Sequence, residues 1–315
     1  MENNNQPILL LPAPKISRKL LVLNAALLLS ILVMTFMVAT ALHPSSEKKE
    51  DAKTSVITVS IEAKAAFVLD VVNNQIIYRK NENARLPLAS LTKLMTALTA
   101  LELVPENSKI TIRKEFLREE GDTGLLSGET WKLKDLLDFS LMVSSNDGVR
   151  SVASVVGAVN LKSTDYDLGR KEFIAQMNME ADKLGLKQTY FLNESGLDEG
   201  NTSGGYGSAS DVAHLLAYIL KKKPEVLETT KYESLTIDSG NKAHVAKNTN
   251  IDVEKIPGLL ASKTGYTTLA GGNLVVAFDA SIGRPIIVVV LGSSQEGRFK
   301  DVQSLVNASI KYVSQ

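Results

Sequence analysis

The chain contains no cysteine. That excludes thiol catalysis, thiolate-bound metals and disulfides, and it suits export without oxidative folding help. Histidine is also scarce. His43, His214 and His244 are far apart and none has HExxH spacing, so zinc peptidase chemistry has little support, and no metal or cofactor is expected. His214 reads as a packed or capping residue. A Gly-x-Ser-x-Gly elbow is missing too, because Gly124 to Gly128 (GLLSG) has the wrong spacing. Gly204 to Gly207 (GGYG) follows no strand and precedes no P-loop lysine, which argues against phosphate binding. Net charge is absent as well: Lys plus Arg and Asp plus Glu are both 35. This balance removes the electrostatic case for a nucleic-acid partner. There is no internal repeat and no low-complexity tract.

What is present is a chain of 315 residues, 44% apolar, enough for one large domain or two modest ones. Leu20 to Leu42 runs 23 residues without a charge. As a helix it would extend roughly 34 Å, against about 30 Å of bilayer hydrocarbon. Lys15, Arg18 and Lys19 precede it, so residues 1–19 are expected in the cytoplasm and everything after 42 outside. A cleaved signal peptide ending near Ala41 is the competing reading. The length of the apolar run favours a retained single-pass anchor in the cell membrane. His43 to about Ser55 is polar and reads as a stalk before an exported domain over 56–315.

In that domain, Ala65 to Asp70 and Gln75 to Arg79 read as strands joined by a hairpin at Val72-Asn73-Asn74. Leu88 to Val104 is expected to hold a helix beginning near Ser90 and ending before Pro105. Trp131 to Val143, Glu172 to Leu184 and Asp211 to Lys221 are further helix candidates. Asn193 to Gly207 reads as a long surface loop. Leu274 to Phe278 and Pro285 to Leu291 are apolar strands with a turn at Ser281-Ile282-Gly283-Arg284, and Arg298 to Val313 is a closing helix. Strands at both ends with helices between them predict an α+β fold. Its antiparallel sheet would be flanked by helices, with a helical subdomain inserted over about 106–255 and one transmembrane helix in front.

Three strings carry the chemistry: Ser90-Leu91-Thr92-Lys93, Ser144-Ser145-Asn146 and Lys263-Thr264-Gly265. Residues at i and i+3 share a helix face, which would place the Lys93 amine beside the Ser90 hydroxyl. Between Pro87 and Val104 the only charged residues are Lys93 and Glu102, so Lys93 is expected to be buried. Burial lowers an amine's pKa and makes it a base. Ser144 with Asn146 would add polar groups where a helix ends in a cleft. Lys263 and Thr264 offer a charge and a hydroxyl to a carboxylate, and Gly265 lets a backbone approach. Each string alone also has a plain structural reading. Ser90 would be an N-cap with Lys93 snorkelling, Ser144 to Asn146 a helix end, and Lys263 to Gly265 a surface strand end. Both shorter patterns recur elsewhere, at Ser45 with Lys48, Ser46 with Lys49, and Ser239-Gly240-Asn241.

Taken together and in order, the strings resemble those of the penicillin-binding serine peptidases, transpeptidase-like enzymes that need no metal. The segment Arg85 to Thr96 (RLPLASLTKLMT) is similar to the low-molecular-mass D-alanyl-D-alanine carboxypeptidases. So are Ser144 to Asp147, Met177-Asn178, Asn248-Thr249-Asn250, and Lys263 to Thr267 with Ala270-Gly271. The resemblance implies Ser90 as nucleophile, Lys93 as its base and Ser144 as a proton relay. It implies that Asn146 binds the substrate amide and that Lys263, Thr264 and Arg298 hold a terminal carboxylate. The N–H groups of Ser90 and Tyr266 would form the oxyanion hole. The implied substrates are peptidoglycan stem peptides, and the implied covalent inhibitors are β-lactams.

Two departures are visible. Gly148 stands where the family usually has alanine, and Gly207 and Ser210 break the usual string before Asp211. A D,D-endopeptidase with the same machinery is the alternative activity. A β-lactamase is disfavoured because no Glu-x-x-Leu-Asn string occurs and Glu194 lies in Asn193-Glu194-Ser195-Gly196. The intact residues argue against a silent wall-binding protein.

Overall fold

Five largely apolar strands build a central antiparallel sheet in the order β3-β4-β5-β1-β2. Its strands are β1 (Ala65–Asp70), β2 (Gln75–Lys80), β3 (Leu259–Thr267), β4 (Gly271–Asp279) and β5 (Pro285–Ser293). The computed structural model describes residues 55–315 except 241, together with residues 30 and 34. Apart from those two positions, the expected span over 20–42 lies outside the described residues, as do residues 1–19 and 43–54. Among the described residues no helix is long and apolar enough to cross a membrane.

The sheet is apolar on both faces because it is covered on both. Phe67, Leu69, Val275, Ala277, Ile287 and Val289 point toward a layer of helices. Ala66, Val68, Leu274, Val276, Ile286 and Val288 point the other way, onto Val302, Leu305 and Val306 of the closing helix, α6 in chain order (Gly297–Val313). Each strand therefore reads as a nearly continuous apolar run instead of an alternating one. The β1–β2 turn uses Asn74 at φ 49°, and the β4–β5 turn uses Gly283 at φ 69°. Both expected hairpins form.

The other helices are α1 (Thr92–Leu103), α2 (Leu133–Val143), α3 (Asn146–Asn160), α4 (Tyr166–Lys183) and α5 (Ala209–Lys222). Helix α1 is buried from Thr92 to Ala100: Leu94, Met95, Ala97, Leu98 and Ala100 are each fully covered. At about 1.5–3 kcal/mol for each large apolar side chain removed from water, these contacts fix it at the centre of the molecule. It stops at Val104, which is extended as a residue before proline prefers. Ser90 itself precedes the α-helix, in a 3-10 turn over Ala89–Leu91.

Three expectations need correction. Helix α4 begins six residues earlier than Glu172, at Tyr166, because Asp165 caps it by accepting from the N–H groups of Asp167 and Leu168. Helix α3 had no counterpart in the sequence reading. The supposed surface loop after Asn193 is not at the surface in its first part: Asn193, Glu194 and Ser195 are each at most 2% exposed. Its polarity is satisfied internally. Asn193 Oδ1 accepts from the N–H groups of Ser195 and Gly196, and Asn193 Nδ2 donates to the Leu197 carbonyl. Gly205–Gly207, at the loop's end, pairs with both Leu86–Pro87 and Tyr190–Phe191.

Candidate active site

The chain enters Ser90 through a left-handed residue, Ala89, at φ 48°. Such a conformation costs an alanine about 1–2 kcal/mol and persists only where its surroundings impose it. Two glycines do so. A Cβ on Gly196 would lie 1.9 Å from the Ala89 carbonyl oxygen, and one on Gly265 would lie 3.1 Å from the Ser90 nitrogen. Behind them, Asn273 Nδ2 donates to the Pro87 carbonyl at 3.0 Å, while its Oδ1 accepts from the Gly292 N–H at 2.8 Å. Asn273 thus ties the approach to Ser90 to strands β4 and β5. Its signal in the sequence is a polar residue abutting an apolar strand.

Ser144 is also left-handed, at φ 61°, and ends α2. Ser145 starts α3 at once by accepting from the Gly148 N–H at 3.0 Å. Two helices therefore meet at this pair of serines, and Asn146 occupies the first turn of the second helix. Strand β3 lies at the sheet edge, bonded to β4 alone within the sheet, and brings Lys263, Thr264 and Gly265 to the same place.

The side chains converge. Lys93 Nζ donates to Ser90 Oγ at 2.8 Å, to Asn146 Oδ1 at 2.7 Å and to the Ser195 carbonyl at 2.9 Å. Lys263 Nζ donates to Ser144 Oγ and to the Thr264 carbonyl, both at 2.9 Å. Thr264 Oγ1 meets Thr249 Oγ1 at 2.6 Å, and Arg298 Nη1 donates to the Gly265 carbonyl at 2.7 Å. Tyr266 follows on β3 with a half-exposed side chain. Every residue nominated from the sequence thus lies on this one constellation or is adjacent to it in the chain.

Lys93 and Lys263 are 0% and 1% exposed. Burial pushes the Lys93 amine down to about 7, with Glu194 and Glu119 pulling the other way. Lys263 is pushed well below the usual lysine range, first by burial and then by the nearby charges of Lys93 and Arg298. The site therefore holds an amine that is substantially neutral near pH 7 against a serine hydroxyl. Beside it is a second amine whose charge is costly until an anion arrives. That set can take a proton from a hydroxyl and hold a carboxylate.

A lip covers the Asn146 side. Asp147 Oδ1 accepts from the N–H groups of Arg118 and Glu119 at 3.1 and 2.9 Å, and Asn146 Nδ2 donates to the Glu120 carbonyl at 2.6 Å. Across the site, Asp198 accepts from Thr267 Oγ1 and the Leu269 N–H, fastening the buried loop to the end of β3. Neither Thr249 nor Asp198 was assigned a role from the sequence. The carboxylate of Glu194 lies on Arg170 Nε, at 3.0 and 2.9 Å, which leaves it paired with Arg170 and not facing Ser90. No cluster of three or more metal-ligating side chains occurs among the described residues.

A serine bonded to a buried lysine, at the foot of a sheet edge that presents a second lysine, defines a serine acyl-enzyme of the transpeptidase-like α+β fold. The chain belongs to the D-alanyl-D-alanine carboxypeptidase family, Peptidase_S11, whose pattern matches residues 49–295. It is 30% identical to D-alanyl-D-alanine carboxypeptidase DacF of Bacillus subtilis over 90% of this chain and 70% of that one. It is 28% identical to the D-alanyl-D-alanine endopeptidase of Escherichia coli, over 83% of this chain and 81% of that one. Among solved structures, penicillin-binding protein D2 of Listeria monocytogenes with ampicillin bound superposes with a TM-score of 0.67. That match has 30% identity and covers 80% of this chain and 98% of the other.

Proposed function

We propose that Ser90 is the nucleophile of a D-alanyl-D-alanine carboxypeptidase reaction on peptidoglycan stem pentapeptides, with Lys93 as its base. The observation that carries this is the 2.8 Å bond between the fully buried Lys93 Nζ and Ser90 Oγ. Ser90 Oγ attacks the carbonyl carbon of the penultimate D-alanine as its proton passes to Lys93. The oxyanion is met by the N–H groups of Ser90 and Tyr266. One such donor contributes about 10²–10³ in rate and a positioned base about 10²–10⁴. The peptide C–N bond breaks as Ser144 relays a proton to the departing D-alanine nitrogen. Water then cleaves the ester and restores Ser90.

Lys263, Thr264 and Arg298 bind the terminal carboxylate, and Asn146 binds the substrate amide. A carboxylate at this point supplies the anion that a buried Lys263 ammonium needs. β-Lactams acylate Ser90 by the same attack, a reading supported by the ampicillin complex of the Listeria relative. Residues 20–42 act as a membrane anchor that holds the catalytic unit outside the cell.

Labelled penicillin attaches covalently to the wild type and not to Ser90→Ala; equal labelling of both would remove Ser90 as nucleophile. Incubation with a stem pentapeptide and with a cross-linked dimer separates the two activities. Free D-alanine marks the carboxypeptidase. Release of monomer instead marks the endopeptidase, the second reading favoured by the Escherichia coli relative. A full-length chain in the membrane fraction supports the anchor, and a chain beginning after Ala41 in the soluble fraction overturns it.

A further inference from the structure

Glu194 is a buried carboxylate that the mechanism above leaves unused. Its side chain is 1% exposed and accepts both of its recorded side-chain bonds from Arg170 of α4. The main chain around it is fastened to α1 at two points. Thr96 Oγ1 donates to the Glu194 carbonyl at 2.6 Å, and Lys93 Nζ donates to the Ser195 carbonyl at 2.9 Å. Lys93 and Thr96 are three residues apart and share one face of the helix. The ion pair therefore anchors the same short stretch that gives the Lys93 amine one of its acceptors.

Stability alone does not account for a carboxylate here. A dry ion pair gives no general advantage over uncharged packing of similar volume. Nor does the loop need the charge to hold its shape, because Asn193 already collects the Ser195 and Gly196 N–H groups. What the carboxylate supplies beyond shape is a negative charge in a region where water screens poorly.

The charged groups around the Lys93 amine come from the buried loop, the lip before α2 and strand β3, with Arg298 of α6 acting on Lys263. Glu194 lies in the loop beneath it, held by Arg170 and with Glu199 near that arginine. Glu119 lies in the lip before α2, paired with Arg150. Lys263 and Arg298 lie on the β3 side. Burial, and a Lys263 ammonium when present, disfavour a positive Lys93. Glu194 first and Glu119 second favour it.

We propose that Glu194, locked by Arg170, is a positioning residue for Lys93: it seats the Ser195 carbonyl on the amine, and its charge sets the pH above which that amine can take the Ser90 proton. The inference rests on Lys93 being the base. Without Glu194 the ammonium would be disfavoured further and the base would be free at lower pH. The carboxylate thus holds the working range of the enzyme near neutrality.

The test is the pH dependence of acylation by a fluorescent penicillin in the intact chain. In Glu194→Gln the acidic midpoint falls by about half a pH unit, so that well below the midpoint the rate is about threefold higher relative to each enzyme's plateau. Glu194→Asp keeps the charge and stays near the wild-type midpoint. Because Glu194→Gln strands a partly buried guanidinium, the double variant Glu194→Gln/Arg170→Gln provides an uncharged pair, and its midpoint falls by less because the lost Arg170 charge acts in the opposite direction. An unchanged midpoint in a folded variant overturns the proposal, as does a slower rate with no shift, which would mark a structural role alone. Lys93→Ala separates the two levels. Loss of acylation in Lys93→Ala with an unmoved midpoint in Glu194→Gln defeats only this inference, whereas a wild-type pH profile in Lys93→Ala defeats the reading of Lys93 as base.

Discussion

Gly265 lets strand β3 lie against Ser90 so closely that a Cβ on it would stand 3.1 Å from the Ser90 nitrogen and 3.0 Å from the Leu88 carbonyl oxygen. Those neighbours are backbone, in a turn already held left-handed at Ala89. They cannot swing aside as a side-chain tip can. Gly265→Ala is therefore expected to push the Ser90 N–H and the sheet edge apart by a few tenths of an ångström. Acylation by penicillin should fall by about 10–100-fold, in line with partial loss of an oxyanion donor. Thermal stability should drop by about 1–3 kcal/mol for overpacking. Stopped-flow acylation and a melting curve check the two halves separately, and a variant acylated at the wild-type rate would show that the spacing does not matter.

The amine of Lys93 gives a prediction that links pH, activity and stability. Its folded-state value of about 7 lies below the ordinary 10.5, so the unfolded chain binds a proton that the folded chain sheds across that interval. Stability contributed through this group therefore rises with pH between about 7 and 10.5, and the penalty is largest below that range. Acylation should rise through about pH 7 as the free amine appears. Lys93→Met removes the base and the penalty together. It should be inactive yet more stable than wild type by about 1–2 kcal/mol at pH 7, after the lost hydrogen bonds are deducted. The gap should shrink toward pH 10. Melting curves at both pH values decide the matter, and a Lys93→Met protein less stable than wild type at pH 7 would refute it.

The order of the three strings exposed the site in the sequence because each sits at the end of a strongly patterned element. The apolar run from Leu88 to Val104 carries only Lys93 and Glu102 as charges, so it read as a mostly buried helix with a lysine near its Ser90 end. What stayed hidden depends on tertiary contact. Helix α3 is rich in Val and carries Gly148 and Gly157, residues that favour helix weakly. Its reason for existing is its neighbour: a Cβ on Gly157 would fall 1.9 Å from the Gly169 carbonyl oxygen of α4, and one on Gly169 would fall 2.4 Å from the Ala158 nitrogen. The glycines that lower helix propensity are the ones that let the two helices touch. The Asn193 loop was mistaken for surface for a related reason. Composition reports that it is polar, but not that Asn193 would satisfy that polarity inside the protein. Spacing alone pairs Lys93 with Ser90, but that Lys263 faces Ser144 depends on contacts across 119 residues and was invisible in one dimension.

Ser144 separates stability from activity in a different way. It holds φ 61° at the end of α2, where glycine carries no steric penalty, and its Oγ accepts from Lys263 Nζ at 2.9 Å. Ser144→Gly should be at least as stable as wild type, with a gain of up to about 1 kcal/mol. The same change removes the hydroxyl assigned to proton relay, and turnover of a stem pentapeptide should fall by about 10²-fold or more. Ser144→Ala loses the hydroxyl and keeps the strain, so it should be as slow and less stable than Ser144→Gly. Paired melting and steady-state measurements distinguish these outcomes, and full activity in either variant would remove Ser144 from the reaction.

The glycine at 148, where the family resemblance implies alanine, packs against a side chain one helix away. A Cβ on Gly148 would lie 2.1 Å from Ser140 Oγ, a buried hydroxyl with no hydrogen-bond partner among the described residues. Ser140 in α2 thus fills the space that an alanine would use. Gly148→Ala alone must displace that hydroxyl and should cost about 1–2 kcal/mol. Ser140→Ala alone discards an unsatisfied buried oxygen and should be close to neutral. With both changes the collision with Oγ is gone, and alanine in the first turn of α3 recovers about 0.5–1 kcal/mol of helix propensity. The double variant should therefore exceed the sum of the singles by about 1 kcal/mol or more, a coupling of the kind expected for residues in contact. Urea denaturation of the four proteins measures that coupling directly. Additivity within a few tenths of a kcal/mol would mean that the hydroxyl rotates away freely and that Gly148 has no such cause.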